Sequence, residues 1–335
     1  MKASLKDIAE ALNVSKTTVS WVLGGKGDER GISTAMQDKV CAMAKKMNYQ
    51  PNLIARSLNT GLTSTIGLII PDITDSFYSE VASSIEKSAE RAGFYVMIGN
   101  SESNPERERH LIQMFKAKQV DGIVLAPTKI SRVEIDRLME EHFPFVLFDR
   151  YYPEVKTNYV IVDNGDSSYR LVKNMVGRGC RKVAIITTNS HLRTMNMRRE
   201  GYSNALLESG IELDTNLYGE VGFNDYQKGI YPVLDRILEQ VPDVDGFFFT
   251  THILCLAAFK YFHDRHVSYA SYEFSCIHGM PAFQCIAPSM QIARMPVEQI
   301  AEESVNILVK NIEFRQTHGD AEFPIHEVSL KCTYY

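Results

Sequence analysis

LKDIAEALNVSKTTVSWVL, residues 5–23, decides the fold of the amino-terminal part of the chain. Its first half carries apolar residues at helical spacing: Leu5, Ile8, Ala9 and Leu12. This spacing predicts a helix with one apolar face. Ser15 is typical of an N-cap and predicts the start of a second helix, which ends at Gly24. The stretch therefore predicts two short helices joined by a tight turn.

A third helix is predicted after residue 33. Its apolar stripe consists of Val40, Met43, Ala44 and Met47. Three short helices with a tight turn between the first two form a helix-turn-helix unit, whose second helix enters the major groove of DNA. We expect the start and outer face of that helix to contact DNA through Ser15, Lys16, Thr17, Thr18, Ser20 and Trp21. Thr18 and Lys2 suit phosphate contacts in particular.

The charge distribution supports a DNA-binding head. Residues 1–60 carry nine Lys/Arg and five Asp/Glu, a net charge of +4. The remaining 275 residues carry 27 Lys/Arg and 36 Asp/Glu, a net charge of −9. The whole chain, at −5, does not have the basic composition typical of nucleic-acid binding. We therefore expect only the head to meet phosphate.

The composition indicates a cytoplasmic protein, associated with the nucleoid. Hydrophobic residues make up 44% of the chain and charged residues 23%, as in globular proteins. No apolar run reaches the roughly 18 residues that span a membrane, and the first residues do not resemble a secretory signal. The six cysteines form no C-x-x-C pair, which favours reduced thiols.

A segment after the third helix makes the pattern specific. Residues 5–23, followed by YQPNLIARSL at 49–58, resemble the lactose-repressor (LacI/GalR) family, and the resemblance continues through almost the whole chain. In that family the segment matching 52–59 is a hinge helix that folds on DNA. The resemblance implies that Leu58 is wedged into the minor groove, where an apolar side chain opens a base step; the alternative is a plain linker leucine. Asn52, Ala55 and Arg56 are expected to contact DNA beside it.

Two features of the head depart from the family. Trp21 stands where the family usually has an arginine that reads a base, and indole has a single donor. Trp21 could pack on a thymine methyl group or a sugar, or it could be a rim residue that packs on Leu53 or the backbone. The loop at 27–32 is longer than usual, and Asp28 and Glu29 would repel phosphate, so we expect this loop to face away from it.

The body alternates strand-like and helix-like segments. Strand-length apolar runs occur at 66–70, 95–98, 122–125, 145–148, 160–162, 183–186 and 246–249, with weaker ones at 274–277 and 292–293. Such alternation predicts parallel sheets covered on both faces. We predict an all-α helix-turn-helix domain at 1–49, a hinge at 50–61, and an α/β body at 62–335. The resemblance implies that this body has two doubly wound, periplasmic-binding-protein-like lobes, with the chain crossing between them more than once.

Ligands of open α/β sheets lie beyond the carboxyl ends of the strands. The resemblance implies that Phe77 and Tyr78 form the aromatic pair that contacts the effector. It assigns Arg198 to the effector-binding arginine and Asp149 to a cleft aspartate. Thr251, His252 and His278 also follow strand ends, and we expect them in the same site.

The effector is not identified by the sequence. The family commonly has Asn-Asp at 251–252 and two aspartates at 278–279, where this chain has Thr-His and His-Gly. Those acids hold sugar hydroxyls, so a neutral sugar is less well supported. Two histidines and Arg198 suit an anionic or phosphorylated metabolite. Loss of effector response, with these residues only lining the cleft, is the alternative.

The sequence gives no case for catalysis or for a cofactor. No phosphate-binding glycine motif opens a helix, no G-x-S-x-G elbow occurs, and no spacing of His or Cys indicates a metal site. We predict a regulator that binds double-stranded operator DNA as a homodimer and responds to a small-molecule effector, without a membrane partner. A dimer is favoured over a tetramer. The resemblance implies that tetrameric relatives carry an additional heptad helix after the last strand, and this sequence shows none there. A solute-binding protein shares the body but has no use for residues 1–60.

Overall fold

The computed structural model describes residues 3–50, 57, 60–128, 132–188, 192–222 and 225–335. The chain divides into two compact units, Met1–Thr63 and Ser64–Tyr335. Each is described by itself. The predicted boundaries between head, hinge and body remain predictions.

The first unit contains the three expected helices, α1 (Leu5–Leu12), α2 (Lys16–Leu23) and α3 (Thr34–Lys46). Ser4 and Asp7 form a capping box at the start of α1. Ser15 caps α2 as predicted, because its hydroxyl accepts a hydrogen bond from the Thr18 backbone N–H at 2.9 Å. The three helices enclose a small apolar core of Ile8, Ala9, Val19, Val22, Val40 and Ala44.

The second unit is built on two six-stranded sheets, as the alternating pattern predicts. The first sheet contains β1 (Thr65–Ile70), β2 (Tyr95–Asn100), β3 (Gly122–Leu125), β4 (Phe145–Phe148), β5 (Tyr159–Val162) and β11 (Glu327–Leu330). The second contains β6 (Val183–Thr188), β7 (Tyr218–Val221), β8 (Gly246–Phe249), β9 (Glu273–Ile277), β10 (Gln291–Arg294) and β12 (Thr333–Tyr334). We call the first sheet with its helices lobe 1, and the second sheet with its helices lobe 2.

The two sheets have the same topology. Their strand orders are β11-β5-β4-β3-β1-β2 and β12-β10-β9-β8-β6-β7. Every pairing is parallel except that of β10 with β12. Consequently β1, β3 and β4 of lobe 1 occupy the places of β6, β8 and β9 in lobe 2.

Helices cover the sheets and bury their apolar strands. They are α4 (Ser76–Arg91), α5 (Pro105–Ala117), α6 (Arg132–Glu140), α7 (Asn164–Gly177), α8 (Arg193–Leu207), α9 (Tyr226–Gln240), α10 (His252–Asp264), α11 (Phe283–Ile286) and α12 (Val297–His318). A short 3-10 helix spans Thr215–Leu217. Strands β3, β4, β6 and β8 are buried throughout, which explains their continuous apolar sequences.

The chain crosses between the lobes three times in the described residues, in agreement with the predicted multiple crossings. The first crossing, at Asp163, joins β5 of lobe 1 to α7, which packs on the second sheet. The second, near Met295, returns the chain to lobe 1, where α12 packs against α4 and the first sheet. The third joins β11 to β12 through Lys331 and Cys332.

Candidate functional site

A cavity of about 490 Å³ lies between the two lobes. Its walls are formed by residues that follow the carboxyl ends of strands in both sheets, as expected for open parallel sheets. The seven residues predicted for effector binding all line it: Phe77, Tyr78, Asp149, Arg198, Thr251, His252 and His278. The structure brings them together, and their contact with an effector stays a prediction.

The lobe 1 wall begins where β1 leads into α4. Asp75 caps α4, with its carboxylate accepting a hydrogen bond from the Phe77 backbone N–H at 2.8 Å. This cap fixes the first helical turn, so that the rings of Phe77 and Tyr78 are buried with centroids 5.0 Å apart. The N-cap of α4 therefore sets the position of the aromatic pair.

Asp149 joins this wall from the end of β4. Tyr78 Oη donates a hydrogen bond to Asp149 Oδ2 at 2.6 Å. Arg150 Nε lies 3.6 Å from the same oxygen, and both side chains are largely buried. Burial raises the pKa of Tyr78 well above its usual value, so the phenol keeps its proton and acts as a donor. The Asp149 charge is thus matched within lobe 1.

The lobe 2 wall contains His278, which follows β9. Its ring is 2% exposed, and neither Nδ1 nor Nε2 has a hydrogen-bond partner among the described residues. Burial, assisted by nearby His252, lowers the pKa of His278 to about 3. The ring is therefore a neutral imidazole, which offers one donor and one acceptor.

Arg198 is the second principal group of lobe 2 and is also buried. Its Nε donates to Asn164 Oδ1 at 2.7 Å, and Nη1 donates to the Thr250 carbonyl at 2.6 Å. Burial lowers the pKa of Arg198, yet a guanidinium stays charged in proteins. No carboxylate of the described residues lies within 4.0 Å of it. The cavity thus receives a fixed positive charge that no described side chain neutralises in an ion pair.

A close helix contact holds Arg198 in place. Gly201, one turn further along α8, packs on α7, and a Cβ built on it would lie 2.3 Å from the Gly165 carbonyl oxygen. Only glycine allows this approach without a backbone shift. Because α7 begins at Asn164, the same approach brings its amide oxygen to Arg198.

Two contacts connect the walls across the cavity. His252 Nε2, in the first turn of α10, lies 3.1 Å from Asp75 Oδ1 of lobe 1. The rings of Phe77 and His278 are edge-on with centroids 5.2 Å apart. The histidines themselves are neighbours, with centroids 5.1 Å apart. These direct contacts between the two lobes are therefore made by residues that line the cavity.

Two further polar groups of the cavity lie at strand ends. Asn100 ends β2 and Thr188 ends β6, and Asn100 Oδ1 and Thr188 Oγ1 have no partner among the described residues. The rule that ligands lie beyond strand ends selects Thr188 from the sequence, but sequence reasoning missed Asn100, which the same rule could have found. Tyr226 also lines the cavity, and burial raises its pKa to about 12. It follows β7, a strand that sequence analysis did not predict.

The second candidate surface is the outer face of α2. Ser15, Lys16, Thr17 and Ser20 are exposed, as a groove-reading helix requires, whereas Trp21 is half-buried. Thr18 is also half-buried, and its hydroxyl lies 2.8 Å from that of Ser15. The other predicted DNA contacts lie outside the described residues: Lys2, Asn52, Ala55, Arg56 and Leu58. The DNA contacts of all these residues stay predictions.

Metal-binding clusters and membrane-spanning helices are both absent from the described part of the chain. No group of three or more His, Cys, Asp or Glu side chains there could hold a metal ion. None of the helices described is long and apolar enough to cross a membrane.

Two family models match the chain. The model for bacterial regulatory proteins of the lacI family matches residues 4–52. The model for periplasmic binding proteins and the sugar-binding domain of the LacI family matches residues 63–258. The first match coincides with the helix-turn-helix unit, and the second covers the two-lobed body as far as residue 258.

Similar proteins agree with this assignment. The ribose operon repressor of Halalkalibacterium halodurans is 28% identical over 313 residues, 92% of this chain and 90% of that protein. The sucrose operon repressor of Streptococcus mutans is 29% identical over 331 residues, 97% of this chain and 98% of that one. The fold of transcription regulator CcpA of Lactococcus lactis matches with a TM-score of 0.71 at 22% identity, covering 81% of this chain and 97% of that structure. The chain therefore belongs to the LacI family of bacterial regulatory proteins, as a DNA-binding transcriptional regulator with an effector-binding domain.

Proposed function

We propose that this regulator binds a palindromic operator as a homodimer and is controlled by a small anionic effector in the cavity between the lobes. The observation that carries the proposal is the environment of Arg198. Its buried guanidinium lines the cavity with no described carboxylate within 4.0 Å. A buried charge without a partner is costly, and an anionic ligand would supply the missing counter-charge.

The cavity acids do not fill that role. Asp149 is the carboxylate with the largest electrostatic effect on Arg198, but it is held by Tyr78 and Arg150. Asp75 caps α4 and faces His252. The two other carboxylates of the cavity also have partners: Asp72 accepts hydrogen bonds from Thr74, and Glu102 pairs with Arg107. Because all four carboxylates are engaged elsewhere, the attraction of Arg198 remains available for a ligand.

The remaining unpartnered atoms narrow the ligand class. His278 offers a donor and an acceptor, Thr188 offers a hydroxyl, and Asn100 offers a carbonyl oxygen. A ligand that satisfies them needs hydroxyl groups as well as an anionic group. Two similar proteins are named as repressors of a ribose and a sucrose operon. We therefore propose a sugar acid or a sugar phosphate.

A homodimer follows from the requirements of the head. A recognition helix reads a short half-site, and two-fold symmetry matches a palindromic operator. In lobe 1, the edge strand β2 exposes Tyr95 and Ile98 to solvent. Exposed apolar residues on a sheet edge favour association, and we propose that a second copy covers them.

The effector would act through lobe closure. His252 and Asp75 connect the lobes beside the cavity, and so do Phe77 and His278. A ligand that prefers one arrangement of the lobes shifts the population toward it. The coupling free energy between ligand and operator then cannot exceed the difference in the binding free energy of the ligand between the two arrangements of the lobes. A solute-binding role is not favoured, because it leaves the helix-turn-helix head without a use.

The test compares matched ligands on an operator selected from random duplexes by the wild-type protein. Operator affinity is measured with glucose against glucose 6-phosphate, ribose against ribose 5-phosphate, and galactose against galacturonate. We expect the charged member of at least one pair to change affinity by about 5- to 150-fold, and its neutral partner to have no effect.

Replacing Arg198 should abolish that response. Arg198→Gln removes the charge, and we expect operator affinity without ligand to stay within about threefold of the wild type. Arg193→Gln is the matched control, because Arg193 is on the same helix but pairs with Glu200 at the surface. A response that survives in Arg198→Gln, or a neutral sugar that acts as strongly as its charged partner, would contradict the proposal.

A further inference from the structure

The loop between α2 and α3 places a guanidinium on the recognition helix. Arg30 Cζ lies 5.0 Å from the centroid of the Trp21 ring, a cation–π distance. Trp21 is one helical turn after Thr17, so the two share a face of α2. Arg30 thereby lies beside side chains that are expected to face base edges.

This loop is firmly connected to both helices. The Lys26 backbone N–H donates to the Trp21 carbonyl at 2.8 Å, and that of Ile32 donates to the Gly27 carbonyl at 2.9 Å. Gln37 of α3 donates to Asp28 Oδ1 at 2.7 Å and to the Ile32 carbonyl at 2.8 Å. The loop therefore has a defined conformation before DNA is bound.

The donors of Arg30 remain available. Arg30 is exposed, and its side chain makes no ion pair or hydrogen bond with the described residues. The nearby Asp28 carboxylate is engaged by Gln37 instead. A guanidinium that stacks its face on the ring keeps its N–H donors, which lie at its edge, available for other partners.

We propose that Arg30 is a specificity-determining residue, held by Trp21 so that its guanidinium donates to O6 and N7 of a guanine in the major groove. This is the side-chain geometry that recognises guanine, and pre-positioning by a rigid ring reduces the entropy lost on binding. The assignment gives Trp21 a positioning role. It reverses, for Arg30, the expectation that the loop at 27–32 faces away from the DNA, because Asp28 is bound by Gln37 of α3 whereas Arg30 contacts Trp21 of α2.

The experiment is a selection from a random duplex library with the full-length protein, followed by affinity measurements on duplexes that vary one base pair at a time. For the wild type we expect a guanine preference at one position in each half-site. Arg30→Ala should reduce that preference by about 5- to 150-fold and leave the other positions unchanged. Lys26→Ala is the matched control, because it removes an exposed cation from the same loop.

Variants of Trp21 test the positioning role. Trp21→Ala should lose the same guanine preference as Arg30→Ala, and the double variant should lose no more, because the two residues act as one unit. Trp21→Phe should retain most of the preference. Trp21 is the single tryptophan of the chain, so a change in its fluorescence emission in Arg30→Ala reports the contact in the free protein.

The outcomes separate this inference from the operator-binding function itself. A uniform loss of affinity over all duplexes in Arg30→Ala, with a salt slope lower by about one, indicates a phosphate contact and overturns the inference. An unchanged base preference also overturns it, as do additive effects of Trp21→Ala and Arg30→Ala. A wild-type protein that selects no sequence would contradict operator binding instead. Equal melting temperatures of the exposed-residue variants show that folding is retained.

Discussion

Asp149 and His278 occupy equivalent positions in the two lobes. Asp149 is the first residue after β4 and His278 the first after β9, and these strands hold the same place in their sheets. Both residues have a left-handed backbone, with φ of 59° and 55°. Yet Asp149 is bound by Tyr78 and Arg150, whereas both ring nitrogens of His278 lack a partner among the described residues.

The comparison separates what the fold determines from what the side chains determine. Equivalent strands bring two polar side chains to the cavity with one backbone geometry, in which non-glycine residues are uncommon. Lobe 1 pairs the charge of Asp149 with groups of its own wall. Lobe 2 leaves both ring nitrogens of His278 without a partner among the described residues, and its Arg198 is hydrogen-bonded but has no described carboxylate within 4.0 Å.

The largest predicted effect is a difference in stability between the two equivalent positions. Asp149→Asn leaves the buried Arg150 without its carboxylate, so we expect the free energy of unfolding to fall by about 3 kcal/mol. His278→Asn should change it by less than about 1 kcal/mol, because no hydrogen bond is lost. Asparagine tolerates the left-handed backbone at both sites. Urea unfolding at pH 7 measures both, and equal losses would contradict the comparison.

A smaller effect concerns pH. The pKa of His278 is about 3 in the folded protein against an ordinary value of 6.5, so protonation favours the unfolded chain. Its contribution to stability is complete above pH 6.5 and is lost as the pH falls toward 3. Between pH 7 and pH 5 we expect the wild type to lose about 2 kcal/mol more than His278→Asn. Parallel pH profiles of the two proteins would show that His278 is not kept neutral.

The periodicity of the sequence was sufficient to predict most of the fold. The buried strands β3, β4, β6 and β8 were predicted because a continuous apolar run of four to six residues between helical segments is typical of a fully buried strand. Strand β7 was missed because Gly219 and Glu220 stand together in the middle of its four residues, so Tyr218–Val221 has neither an apolar run nor an alternating pattern. Strands β11 and β12 are short and exposed, so their sequences lack an apolar run.

The residues that line the cavity could be predicted from the sequence, but the partners of their polar and charged groups could not. Strand ends and family resemblance identified the seven residues, which do line one cavity. That Asp149 would be paired and His278 unpaired depends on rotamers and on distant partners such as Tyr78. The contact between Arg30 and Trp21 was missed for the same reason, because a loop conformation set by Gln37 decides it.

The most direct test of the account is a titration of 15N-histidine-labelled protein with inorganic phosphate, followed through the ring-nitrogen resonances of His278. We predict a neutral ring without ligand and a saturable shift of these resonances as phosphate binds beside Arg198. In Arg198→Gln the shift should be absent. No saturable shift in the wild type, or the same shift in Arg198→Gln, would contradict an anion site in lobe 2.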